Sequence, residues 1–326
     1  MEQYTSAMPH GSEISRTAEQ HREQLIVEQH GQNSNAQQQE LSFSLYYRGS
    51  LSSCNYACPY CPFSKTVDSR ETLQRDREQL ERFVQWVHEQ EREQHRLSIF
   101  FNPYGEGLVH GWYRRAMVEL SHLPHVDKVA IQTNLSVKLD WTAELNRDKA
   151  AFWATYHPGQ TSEDFFVRQG MQLHEQGLAF SAGVVGLREA FPAIRSLRAR
   201  LPEDVYVWIN AFKDRPAYYR PEEVAELQQI DPYFEYNLRD YDSLGQSCLA
   251  GQNVFYIQGN GMVKRCYQDK RVIGNIYRRS LRDIAVVRPC AMKQCGCYIG
   301  YIHMPDQPFA KLYGKRILER IPAGYV

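Results

Sequence analysis

Three cysteines crowd into eight residues at Cys54-Asn55-Tyr56-Ala57-Cys58-Pro59-Tyr60-Cys61, a C-x3-C-x2-C spacing that follows an apolar run from Phe43 to Tyr47. A loop this short cannot scatter its thiols, so the fold must present all three to one object. Zinc asks for a closed set of four ligands, and no histidine or fourth cysteine lies on the loop. Disulfides ask for an oxidising compartment. A cubane iron-sulfur cluster is held by thiolates, and three of them leave one of its four irons open to another ligand. The loop is therefore read as a three-thiolate cluster site on Cys54, Cys58 and Cys61.

Five further cysteines form a second group: Cys248, Cys266, Cys290, Cys295 and Cys297. Seventeen residues separate the first two, and between them Val254–Gln258 and Met262–Arg265 read as hairpin strands about Gly259-Asn260-Gly261, a strong turn signal that draws the flanking thiols together. Gly274-Asn275-Ile276 follows, then a closing C-x4-C-x-C. Four of these five thiols suffice for one second cluster; structural zinc on four thiolates is the alternative. Which of Cys290, Cys295 and Cys297 is left over stays open. His303, six residues beyond Cys297, reads as a core histidine before a ligand.

Composition narrows the class. Lysines and arginines number 38, as do aspartates and glutamates, in 326 residues. Zero net charge gives no general grip on nucleic acid or an anionic membrane. No apolar run approaches the roughly 18 residues of a span, and the N-terminus lacks the basic start and apolar core of a secretory signal. A cytoplasmic protein is expected, with no membrane or nucleic-acid partner. Residues 1–40 are polar and glutamine-rich and read as a disordered extension.

From Leu41 short apolar strands alternate with amphipathic helices, the rhythm of parallel βα units. Strands are expected at Phe43–Tyr47, Leu97–Phe101, Lys128–Gln132, Ala151–Thr155, Phe180–Val185 and Val205–Ile209. A helix is expected from about Glu71 to Gln90, capped by Asp68 or Ser69, with Leu80, Phe83, Val84 and Val87 on its apolar stripe. Six such units suit an α/β fold, a partial (βα)6 barrel over residues 41–235, whose site is built from loops at the carboxyl ends of the strands. Residues 236–326 read as a small cysteine-rich β-hairpin extension.

With Tyr60 just before its last cysteine, the loop is the motif of the radical SAM superfamily, which the chain resembles. That resemblance implies a 4Fe-4S cluster that binds and reductively cleaves S-adenosyl-L-methionine, with Tyr60 near the adenine. Asn102-Pro103-Tyr104-Gly105-Glu106-Gly107 is similar to the family's Gly-Gly-Glu segment, with Tyr104 in place of one glycine, and implies that Gly105 and Glu106 meet the methionine amino group. Asn134 and Ser136, in a stretch similar to Thr-Asn-Gly, would bond methionine or ribose. Ala182 to Glu189 resembles G-x-I-x-G-x-x-E, placing Val184 and Gly186 beside the adenine. His157, Lys213, Asp214 and Arg215, on loops after the fourth and sixth strands, are candidates for substrate contact.

The order of the second cysteine group, hairpin and Gly-Asn-Ile looks like the twitch or SPASM extension that carries auxiliary clusters, and with five cysteines one auxiliary 4Fe-4S cluster is implied. From Leu41 onward the chain also resembles a bacterial radical SAM family designated only by a locus tag, a label that carries no substrate. The implied function is hydrogen abstraction from a peptide or protein side chain, with the auxiliary cluster aiding oxidation and an electron donor such as flavodoxin or ferredoxin. Dehydrogenation or rearrangement of a small metabolite such as a sugar is the alternative. An iron-sulfur electron carrier without catalysis is the reading from another class.

Overall fold

The apolar runs become strands because β-branched and aromatic residues pack well on a pleated surface. Residues 41–63 and 66–325 of the computed structural model are described; the extension expected over residues 1–40 lies outside them. In order the strands are β1 (Leu41–Arg48), β2 (His95–Phe101), β3 (Val126–Thr133), β4 (Ala150–Tyr156), β5 (Ala179–Val185) and β6 (Val207–Asn210), which stand side by side in that sequence. Every pair from β2 to β6 is parallel.

Parallel neighbours need crossovers. These are α1 (Arg70–Glu89), α2 (Gly111–Ser121), α3 (Glu163–Glu175) and α4 (Phe191–Arg200), with α5 (Pro221–Gln228) after β6. Between β3 and β4 a 3-10 turn, Asp140–Glu144, replaces a full helix. Helix α1 buries Leu80, Phe83, Val84 and Val87, and its cap is Ser69, whose side chain accepts from the Thr72 amide. Asp68 is thereby free for another task.

The C-terminal hairpin joins the same sheet. Strand β7 (Tyr241–Asp242) is a short bridge, and then β8 (Val254–Gln258) lies parallel to β1 with Ser44 opposite Val254 and Arg48 opposite Gln258. Strands β9 (Met262–Lys264) and β10 (Val272–Asn275) follow antiparallel, completing a nine-stranded sheet, and β11 (Gln294–Cys295) pairs with β7. The α/β fold expected from the sequence is thus observed, with its hairpin extension on the β1 edge.

One face of the sheet buries Tyr46, Phe100, Trp153, Trp208 and Tyr256, and the C-terminal segment covers them with Tyr298, Ile317 and Leu318. Ser181 Oγ donates to the Glu319 carbonyl at 2.6 Å, fastening that segment to β5. His303 is fully enclosed, 2.8 Å from the Tyr46 hydroxyl, and burial drives its pKa down to about 3. It is a core histidine.

Candidate active site

The carboxyl ends of the strands converge on one cleft of about 370 Å³. The cysteine loop leaves β1 at Gly49 and is tied down by two carboxylates. Asp76 of α1, fully buried, accepts from the Leu51 amide at 2.8 Å and from Trp112 Nε1 at 2.9 Å. Asp68, relieved of capping, accepts from the amides of Ser52 at 2.7 Å and Ser53 at 2.8 Å. Beyond the loop's middle, Gln160 accepts from the Ala57 amide at 2.8 Å. The loop has almost no secondary structure of its own, so these side chains satisfy its backbone and fix its path.

Cys54, Cys58 and Cys61 all line the cleft, together with Tyr60, Gly105, Glu106, Asn134, His157, Lys213 and Asp214. Gly105 is held against the cysteine loop so closely that a Cβ there would lie 1.7 Å from the Ser53 carbonyl oxygen. Only glycine allows this approach. Glu106 is buried, and its carboxylate accepts from the Leu108 amide at 2.9 Å, Thr133 Oγ1 at 2.8 Å and the Asn134 amide at 2.6 Å. Burial outweighs these bonds and lifts its pKa to about 7.

Asn134 stitches the β3 loop to the cysteine loop: its Nδ2 donates to Asn55 Oδ1 at 3.0 Å and faces Cys54 Sγ at 3.8 Å. Ser136 Oγ accepts from Asn55 Nδ2 at 2.9 Å and stays outside the cleft lining. His157 Nδ1 lies 2.8 Å from the Tyr60 hydroxyl and 3.4 Å from Cys58 Sγ. Burial lowers the His157 pKa to about 4, so the ring is neutral near pH 7.

Val184 and Gly186 stand differently from the expectation drawn for them. Val184 is fully buried, while Val185 lines the cleft; successive strand residues point to opposite faces. Gly186 is closed over by Tyr219, whose hydroxyl donates to the Gly186 carbonyl at 2.6 Å. Lys213 lines the cleft but is tied to Asp240 at 3.1 Å, and exposed Arg215 is outside the lining.

The five C-terminal cysteines meet in a second, enclosed cavity, lined also by Arg265 and Tyr267. None of the eight cysteines is in a disulfide. Burial pushes Cys295 up to about 12, with Cys297 adding to the rise, and burial also raises Cys248, Cys266 and Cys297. Thiols so placed keep their protons until a metal displaces them. Among the described residues no three His, Cys, Asp or Glu side chains are grouped to hold a metal ion. A multi-iron cluster draws its thiolates from around a cavity, and each group of thiols lines one.

The two cavities share a wall. Along residues 295–298 the sides alternate: Cys295 and Cys297 line the thiol cavity, Gly296 and Tyr298 the cleft. Arg48 on the cleft side lies 3.6 Å from the ring centroid of Tyr267 on the thiol side. Neither this contact nor the roles of Asp76, Asn55 and Gln160 were read from the sequence, and Asp68 was read only as a possible helix cap. Arg48 alone carried a local signal, as the one charge ending an aromatic strand.

Comparison with known proteins agrees with this geometry. A family model for SPASM, an iron-sulfur cluster-binding domain, matches residues 248–295. A search of curated proteins finds no match. Among solved structures the chain is similar to native anSMEcpe with bound AdoMet, at 15% identity over 74% of this chain and 80% of that chain, with a TM-score of 0.50. It is also similar to Streptococcus suis SuiB bound to S-adenosylmethionine, at 13% identity over 75% of this chain and 65% of that chain, with a TM-score of 0.51. The chain therefore shares its fold with these two structures, and the iron-sulfur extension expected from its second cysteine group coincides with the SPASM match.

Proposed function

We propose that the chain is a radical SAM enzyme whose Cys54, Cys58 and Cys61 thiolates hold a 4Fe-4S cluster, with S-adenosyl-L-methionine bound in the cleft. When bound, that pair supplies a 5′-deoxyadenosyl radical, an abstractor of unactivated hydrogen atoms. The observation that carries the reading is the shared wall: a three-thiol cleft and a five-thiol cavity adjoin along residues 295–298.

The chain's own residues bind, orient and exclude. Ionised Glu106 receives the methionine ammonium, held in place by three donors. Asp68, Asp76 and Gln160 keep the cysteine loop rigid. Neutral His157 and the Tyr60 ring close one side of the cleft against water. In the thiol cavity we assign Cys248, Cys266, Cys290 and Cys295, the four inside the SPASM match, to an auxiliary cluster, and leave Cys297 as the fifth thiol.

The substrate we propose is a peptide or protein side chain. The cleft, at about 370 Å³, falls within the roughly 300 to 1,000 Å³ of ligand cavities, and a side chain would reach it from its mouth. A flavodoxin- or ferredoxin-type donor supplies the electron, and eight cysteines outside disulfides suit a reducing cytoplasm. Among the described residues no helix is long and apolar enough to cross a membrane.

The test is anaerobic reconstitution followed by dithionite and S-adenosylmethionine, with 5′-deoxyadenosine as readout. The wild type forms it and Cys58→Ala does not; equal formation by both removes the assignment.

A further inference from the structure

Arg48, the last residue of β1, lines the cleft with its guanidinium between two tyrosine rings, 4.0 Å from the centroid of Tyr104 and 3.6 Å from that of Tyr267. Its Nε donates to the Asn102 carbonyl at 2.9 Å. Among the described residues no carboxylate pairs with it, whereas Lys213, which also lines the cleft, is occupied by Asp240 at 3.1 Å and by the Arg239 carbonyl at 2.7 Å.

Both faces of the guanidinium are covered and one donor is spent, so the fork is fixed with its terminal amino groups left over. Arginine held this way matches a carboxylate in a bidentate pair and loses little freedom in making it. A neighbouring donor is also unspent. Asn102 is fully buried; its Oδ1 accepts from the Tyr267 hydroxyl at 2.8 Å, while its Nδ2 has no partner. Stacking alone leaves the buried Asn102 amide unexplained, since buried polar groups are normally paired.

We propose that Arg48 is a carboxylate subsite of the cleft, receiving an acidic group of the substrate, either a peptide C-terminus or an aspartate or glutamate side chain. The assignment rests on the cleft being the substrate cleft, as proposed above. It places the substrate against the wall that carries Tyr267 and Tyr298, between the two thiol groups. The methionine carboxylate of S-adenosylmethionine is the competing occupant.

Phenylglyoxal modification of the reconstituted protein, mapped by mass spectrometry, separates these. Arg48 is followed against Arg115, which is exposed and lies outside the cleft. Three probes are compared: acetyl-trialanine as free acid, the same peptide as its amide, and acetyl-Ala-Glu-Ala amide. The free acid, the glutamyl peptide or both should slow modification of Arg48 about threefold when present at twice their Kd, with the plain amide and S-adenosylmethionine without effect. Protection by the free acid alone indicates a C-terminus; protection by the glutamyl peptide alone indicates a side chain. Protection by S-adenosylmethionine alone, by the plain amide as strongly as by the acid, or by none of the probes overturns the subsite. Absence of S-adenosylmethionine binding would count against the enzyme reading and leave the carboxylate comparison standing.

Discussion

At the scale of single residues, Glu106 is the most sensitive reporter of the cleft. Burial holds its pKa at about 7 in the free protein, and meeting an ammonium requires the ionised form. Affinity for S-adenosylmethionine should therefore rise with pH up to and through about 7, and Glu106→Gln should weaken binding about tenfold and flatten that dependence. Isothermal titration across this range checks both. The stability sign runs the other way: a carboxyl with a raised folded pKa contributes fully below its unfolded pKa and loses that contribution as pH rises through about 7. Gly105 gives a second residue-scale prediction. An alanine Cβ would sit 1.7 Å from the backbone oxygen of Ser53, so Gly105→Ala should cost about 3 kcal/mol, read by chemical denaturation, with loss of iron from the cysteine loop. The places of Gly105 and Glu106 in the cleft were legible because a short pattern carries them. Asp68, Asp76 and Arg48 were not, since each acts on backbone or rings distant in sequence, and a lone Asp in a polar helix has no local mark.

Among the elements, the strands and α1 were legible to within a residue or two, because period-2 and period-3.6 patterns survive in the sequence. Val184 shows the limit. Its strand was located, but the face it presents depends on register against β4 and β6, and one residue reverses the side. The parallel pairing of β8 with β1 was likewise invisible, since partner choice is set by the whole sheet. Helix α1 fixes the cysteine loop through Asp76, which bonds the Leu51 amide and the Trp112 indole. Asp76→Ala strands both donors and should destabilise the protein by about 3 kcal/mol in thermal denaturation; Asp76→Asn, which keeps one acceptor oxygen and turns its amide against the other donor, should recover only part of that loss.

For the whole molecule, the sheet places eight thiols in two cavities on either side of one wall. The resemblance read from the sequence already implied that the cysteine-rich extension closes over the barrel opening, but not that residues 295–298 form the shared wall, because that depends on the alternation of sides along this stretch. The measurement that tests this most directly is iron content with electron paramagnetic resonance after anaerobic reconstitution. It is made on the wild type, on a variant with Cys54, Cys58 and Cys61 changed to alanine, and on Cys248→Ala/Cys266→Ala. Two separate cubane clusters require about eight irons per chain in the wild type and about four in each variant, with S-adenosylmethionine altering the reduced spectrum only where the first three cysteines remain. A wild type that holds about four irons, or a Cys248→Ala/Cys266→Ala variant that keeps all eight, would contradict the two-cluster architecture.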